Sequence, residues 1–242
     1  MSETKIAMWS GPRNISTAMM YSFDNRQDTT CIDEPLYAHY LAHTGISHPG
    51  VQEVIDDGET DWRVVVDTIC GNIPNQAEIW YQKHMTHHLL PHMDLDWISN
   101  LKNCLLIRNP REVILSLSKK TDQIDTRATG LPEQIRLLDH ILETTGKQPT
   151  IVDSQDILKN PEKMLSKLCD DLNIPFDSTM LTWQAGPRNC DGIWAKHWYD
   201  AVWASTNFAP YKPRTGILTP EHQAISDECQ VHYDRLHSLR LT

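Results

Sequence analysis

The sequence predicts an α/β fold, a three-layer sandwich with a mainly parallel central sheet. Two observations carry that expectation. Short apolar runs alternate with segments of helical spacing, and the turns between them are short. The 242 residues can also bury a sizeable core, which favours one domain over residues 1–242.

The first strand is Ile6–Trp9, and it passes directly into the turn at Ser10. Ile15, Ala18, Met19 and Phe23 then recur at helical spacing over Ile15–Phe23. Thr29–Asp33 reads as the second strand, ending in Asp33-Glu34 and closed by Pro35. His43–Glu59 is polar and broken by glycine and proline, the pattern of loop and short helix. Trp62–Ile69 reads as helix, Ala77–Gln82 as strand and Met93–Leu101 as helix. Asn103–Ile107 is a buried strand, and Pro110 opens a helix reaching about Lys120. Leu131–Thr145 is helical and stopped by Gly146; Thr150–Val152 is a short strand; Pro161–Asn173 is an amphipathic helix. Residues 183–242 are less regular and rich in aromatics, and are expected to close over the site or pack beside it.

With 32 acidic against 22 basic residues, the net charge of −10 excludes a broad basic surface for nucleic acid. The six cysteines form no CxxC pair and sit partly in apolar runs, as thiols of a reducing compartment do. Lys5–Trp9 leads straight into the first loop with no secretory pattern, and no window reaches a membrane span. These features predict a soluble cytoplasmic protein without a membrane partner; self-association is compatible with them.

Chemistry is expected at the strand ends. The turn Ser10-Gly11-Pro12-Arg13-Asn14-Ile15-Ser16-Thr17 enters a helix, so its free backbone N–H groups suit phosphate or sulfate oxygens. Arg13 adds a fork of donors, and Ser16 and Thr17 add hydroxyls. The Gly-Lys-Ser/Thr of nucleoside-triphosphate loops is missing. Arg108 leaves a buried strand, with Ser116 on the helix that follows. If the strands are parallel, Ser10–Arg13, Asp33-Glu34 and Arg108 share one rim. Glu34 is placed to take a proton from a hydroxyl or amine. The run Trp80–His92 contains Lys83, His84, His87, His88 and His92. Without HExxH or a nearby cysteine, no metal site is expected there. Lys83 instead suits developing negative charge, and His84 suits proton transfer. Gly186, Pro187, Arg188, Asp191 and Gly192 precede Trp194, Trp198 and Tyr199, a basic glycine loop beside aromatic faces.

Taken in order, these motifs resemble the sulfotransferase superfamily, whose members use 3′-phosphoadenosine 5′-phosphosulfate (PAPS). The resemblance spans most of Ile6–Tyr211. It implies a P-loop-like nucleotide-binding architecture and PAPS as cofactor. Ser10–Thr17 would hold the 5′-phosphosulfate, and Arg108 and Ser116 the 3′-phosphate. Ile151–Phe176, with Asn160-Pro161 opening its helix, is similar to a common run of the family. Arg188 and Gly192 resemble the late loop that covers the nucleotide. Arg13 replaces the first-loop lysine of the cytosolic enzymes. A glutamate base after the second strand, as in protein-tyrosine sulfotransferases, falls on Glu34. The histidine type carries Lys-x-His-Leu-Pro, from which Lys83-His84 departs. The implied activity is sulfuryl transfer to a small soluble acceptor bearing a hydroxyl or amine. The alternatives are a nucleotide-dependent small-molecule kinase, requiring ATP and magnesium, and a non-catalytic nucleotide-binding protein.

Overall fold

The computed structural model describes residues 3–121 and 124–242. Five strands, β1 (Thr4–Ser10), β2 (Thr29–Asp33), β3 (Ile79–Met85), β4 (Lys102–Ile107) and β5 (Thr150–Asp153), form one sheet in the order β2-β3-β1-β4-β5. All four pairings are parallel. The mainly parallel α/β sheet expected from the sequence is therefore present.

Side-chain alternation divides the core in two. Ala7, Trp9, Trp80, Leu105, Ile107 and Ile151 face one side. Ile6, Met8, Tyr81, Cys104, Leu106 and Val152 face the other. Helix α1 (Ser16–Asp24) covers the second face. On the first face lie α2 (Tyr37–Thr44), α3 (Val51–Asp57) and α4 (Trp62–Cys70). Helix α5 (Pro110–Leu117) follows β4, and α6 (Leu131–Thr145) returns to the first face. After β5 come α7 (Ser154–Lys159) and α8 (Pro161–Asp171), the latter packed on the second face. The short α9 (Ala195–Trp198) and α10 (Asp200–Trp203) lead to α11 (Pro220–Ser238), which packs through Cys229, Tyr233 and Leu236 on the first face.

Local chemistry explains the boundaries. Asn109 Oδ1 accepts from Arg111 N and Pro110 fills the first turn, starting α5. Asn160 Oδ1 does the same for Lys163 N at α8. Gly146, at φ +65°, ends α6. The structure differs from the sequence expectation in places. Met93–Leu101 holds only a 3₁₀ turn at Asp96–Asn100, fixed by Asp94 Oδ1 accepting from Asp96 N. Helix α5 stops at Leu117, short of Lys120, and β3 runs to Met85, beyond Gln82. Residues 183–242 include the 19-residue α11, anchored by Tyr233 donating to Asp153 Oδ2.

Candidate active site

The turn after β1 is held in a conformation L-residues rarely adopt. Arg13 and Ile15 sit at φ +64° and +62°. Successive residues alternating across the left-handed region turn backbone N–H groups toward a common point, a concavity that attracts anions. No side chain caps α1, so the N–H groups at Ser16 and Thr17 stay available. Gly11 is required by packing: a Cβ there would lie 1.9 Å from the Thr129 carbonyl oxygen. Asn14 donates to the Leu106 carbonyl at 3.1 Å, fastening the turn to β4. The Ser10 hydroxyl is buried against Met85 Sδ, so from Ser10 the turn presents backbone and not a side chain.

Parallel register sets the β1 turn beside the end of β4. Arg108 NH1 donates to the Arg13 carbonyl at 2.8 Å, and Arg13 Nε donates to Ser116 Oγ at 2.9 Å. Arg13, Arg108 and Ser116 are thus one unit. A third guanidinium joins from the C-terminal segment. Burial, then the charge of Arg108, holds the pKa of Arg214 down; burial, then Arg214 and Arg108, does so for Arg13. Among the described residues the carboxylate facing this trio is Glu112. Its Oε2 takes both Arg108 Nε (3.0 Å) and NH2 (2.8 Å), and its Oε1 accepts from Tyr211 and Arg214 N. Arg214 Nε is buried without a partner. Three cations against one carboxylate leave a local excess of positive charge suited to a dianionic phosphate.

A second cluster lies at the ends of β2 and β3. Lys83, 1% exposed, donates to Asp33 Oδ1 at 2.8 Å, Glu34 Oε1 at 2.5 Å and Tyr199 Oη at 2.6 Å. All three ammonium protons are therefore taken within the protein. Tyr199 donates in turn to Asp33 Oδ2 at 2.7 Å, and Gly192 N donates to the same oxygen at 3.2 Å. Glu34 stands at φ +40°, its N–H bonded to the Lys83 carbonyl. Its Oε2 lies 3.9 Å from His88 Nε2, too far for a hydrogen bond. Burial raises the Glu34 pKa; Lys83 opposes the rise and Asp33 adds to it. Glu34 is thus a buried carboxylate with one oxygen clamped and the other directed away from the clamp.

Two residues singled out in the sequence go elsewhere. His84 follows Lys83 on β3, so it points to the opposite face of the sheet. There it stacks on Trp9 at 4.2 Å, bonds Gln82 Oε1 at 3.2 Å, and burial holds its pKa at about 3. Arg188 pairs with Asp24 at the far end of α1, at 2.6 Å, and covers the Tyr21 ring. Gly192, four residues on, does reach the Lys83 cluster through its backbone. The sequence reading named Tyr199 only as an aromatic face and missed its hydroxyl between Lys83 and Asp33; it also missed Asp33 as an anchor, Glu112 and Arg214. Arg214-Thr215-Gly216 offered the same basic-glycine signal as Arg188.

The family model described as a sulfotransferase domain matches residues 4–222. The chain is 37% identical over 234 residues to branched-chain-amino-acid aminotransferase-like protein 2 of Arabidopsis thaliana, covering 96% of this chain and 41% of that protein. It is 38% identical over 217 residues to branched-chain-amino-acid aminotransferase-like protein 1 of the same plant, covering 88% of this chain and 38% of that protein. The chain therefore spans about two-fifths of the length of the curated relatives it matches. The sulfotransferase of Alicyclobacillus acidocaldarius superposes with a TM-score of 0.53 at 11% identity, covering 100% of this chain and 98% of that one. The sulfotransferase domain from the curacin biosynthetic pathway gives 0.50 at 15% identity, covering 95% and 98%. At such identities the structural likeness is one of fold. The family match along nearly the whole chain, on a sheet whose rim gathers an arginine cradle and a clamped glutamate, makes this chain a member of the PAPS-dependent sulfotransferase superfamily.

Proposed function

We propose that the protein transfers a sulfuryl group from PAPS to a hydroxyl or amine of a small soluble acceptor, with Glu34 as the base. The observation that carries this reading is the pairing of two features on one rim. An arginine trio faces a single carboxylate, and a buried glutamate has one oxygen uncommitted. β1 lies between β3 and β4, so the two features are neighbours.

The residues present fit such a nucleotide. Arg13, Arg108 and Arg214, with Ser116, would hold the 3′-phosphate; Arg214 Nε is a buried donor still lacking a partner. The backbone of Gly11–Thr17 would hold the 5′ side at the start of α1. Arg188 takes no part, because it sits on Asp24 at the far end of α1 from the turn that Arg13 belongs to. When bound, PAPS supplies the activated sulfur–oxygen bond. Glu34 Oε2 accepts the acceptor's proton, and Lys83 holds Oε1 so that Oε2 faces the acceptor. Burial strengthens Glu34 as a base, while Lys83 keeps it ionised. Asp33 holds Lys83 in turn, and Tyr199 and Gly192 hold Asp33.

A cytoplasmic setting belongs to the same proposal and draws on six free thiols. Among the described residues no helix is long and apolar enough to cross a membrane.

Glu34→Gln tests the reading, because it keeps size and one acceptor oxygen but removes basicity. Single-turnover transfer from PAPS to a panel of small alcohols and amines should fall roughly 10²–10⁴-fold. Calorimetric affinity for adenosine 3′,5′-bisphosphate should stay unchanged. Near-normal transfer in the variant removes Glu34 as the base. Preference for ATP over the 3′-phosphorylated nucleotide removes the sulfotransferase reading itself.

A further inference from the structure

On the first face of the sheet, away from the arginine trio, three imidazoles converge that the sequence never placed together. His39 and His43 lie one turn apart on α2, and His92 follows the Thr86–His88 turn after β3. One ring nitrogen from each falls within 4.8 Å of the others. The ring centroids of His39 and His43 are 4.0 Å apart, and each stands 5.2 Å from that of His92. They border a cleft of about 300 Å³ whose wall also includes Asp61 and Trp62.

The hydrogen bonds fix which nitrogens are free. His39 Nδ1 lies 2.7 Å from the Thr60 carbonyl, which can only accept, so the proton sits on Nδ1. A neutral His39 therefore offers a bare lone pair at Nε2. His43 repeats the pattern: its Nδ1 bonds the His39 carbonyl at 3.0 Å and leaves Nε2 bare. Carbonyls that hold Nδ1–H and orient the ring are the outer partners that metal-binding histidines require. His39 Nε2 then meets His92 Nε2 at 3.2 Å. Two imidazoles on one tetrahedral zinc, with bonds of about 2.0–2.1 Å, hold their nitrogens about 3.3 Å apart. His39 is fully buried while His43 and His92 are exposed, so the two outer rings can rotate to close the remaining gap.

We propose that His39, His43 and His92 form a binding site for a borderline divalent transition-metal ion, zinc foremost, with the fourth position open to the cleft beside Asp61. Three imidazoles without thiolate match zinc and its neighbours better than calcium or magnesium. Binding replaces the single proton that the 3.2 Å contact needs. That proton moves, through solvent, from His92 Nε2 to its Nδ1, which leaves a neutral ring whose Nε2 lone pair faces the ion. The ion ties α2 to the segment after His88, the histidine that faces Glu34. Its place is a brace behind the Glu34 wall, separate from the arginine trio, and it does not depend on the sulfotransferase reading.

The test uses the untagged full chain, stripped with chelator and titrated with Zn²⁺ by calorimetry. Co²⁺ absorption reports the geometry. One equivalent should bind, with a tetrahedral Co²⁺ spectrum and a zinc-dependent rise in melting temperature. His43→Ala and His92→Ala change exposed residues and should keep the fold. Each should weaken Zn²⁺ binding by more than the roughly 10–100-fold that loss of an outer partner costs, and abolish the thermal shift. Absence of stoichiometric binding in the wild-type chain overturns the proposal. So does binding that survives both substitutions, since the other histidines would then be its source.

Discussion

Replacing Lys83 by methionine isolates the energetic centre of the site. The side chain is 1% exposed and its ammonium makes three hydrogen bonds, two of them to carboxylates. Met fills most of the volume, so the loss is electrostatic more than steric. Asp33 and Glu34 remain buried beside each other with no cation in contact. Removing one partner of a buried ion pair costs about 3–5 kcal/mol, because the other charge stays desolvated. That is a large part of the roughly 5–15 kcal/mol that holds a domain together. The loss should depend on pH. Glu34 already has a folded-state pKa raised above its unfolded value. For such a carboxylate, stability falls as pH rises from the unfolded pKa through the folded one. Without Lys83 the folded pKa climbs further and the window widens upward. The variant should therefore recover up to about 1.4 kcal/mol per pH unit relative to wild type as pH falls toward about 5. Urea unfolding of both proteins at about pH 8 and about pH 5.5 measures the difference. Tyr199→Phe serves as the comparison that removes hydrogen bonds but no charge, expected to cost about 1.5–3 kcal/mol with little dependence on pH. A Lys83→Met deficit below about 1 kcal/mol at the higher pH would refute the reasoning. An equal deficit at both pH values would refute it too.

Arg13→Ala, Arg108→Ala and Arg214→Ala should each weaken adenosine 3′,5′-bisphosphate binding roughly 10–100-fold, as expected for a charged hydrogen bond. Arg188→Ala should not, and calorimetry that ranks Arg188 with the trio would relocate the nucleotide. Gly11→Ala forces a Cβ to within 1.9 Å of the Thr129 carbonyl, so the turn must shift. It should lose about 1–3 kcal/mol, and an unchanged melting curve would deny the close approach. Burial holds His84 and His87 at about 3 and His88 well below its usual value. Each binds a proton in the unfolded chain first, so stability is full above about pH 6.5 and drains as pH falls. Three such groups remove about 4 kcal/mol per pH unit, and circular dichroism should show acid unfolding by roughly pH 4. A native spectrum well below that pH would refute it.

The strands and the rim were legible because their signals are local. Ile6–Trp9 and Asn103–Ile107 are apolar runs that end in polar turns, and the parallel order then fixes which turns meet. Glu34 and Lys83 were visible as strand-end charges. Their contact was not, because β2 and β3 are brought into register across four helical or turn segments. His84 misleads for the opposite reason. Adjacency in sequence suggests a shared site, whereas a strand sends neighbours to opposite faces. Arg188 and Arg214 have similar local sequence, and only the path of the chain after α10 decides which returns to Glu112. Helix α11 escaped because its buried stripe is thin, formed by Ser226, Cys229, Tyr233 and Leu236.

The central place of β1 has a consequence for how the chain is made. β1 is synthesised before both of its partners, β3, from Ile79, and β4, from Lys102. At ~5–20 residues per second, Ile6–Trp9 waits several seconds before either edge is paired. During that interval the nascent chain carries an apolar segment with open backbone on both sides. Slow synthesis before β4 has emerged from the ribosome lengthens the exposure, whereas a pause after that point does not.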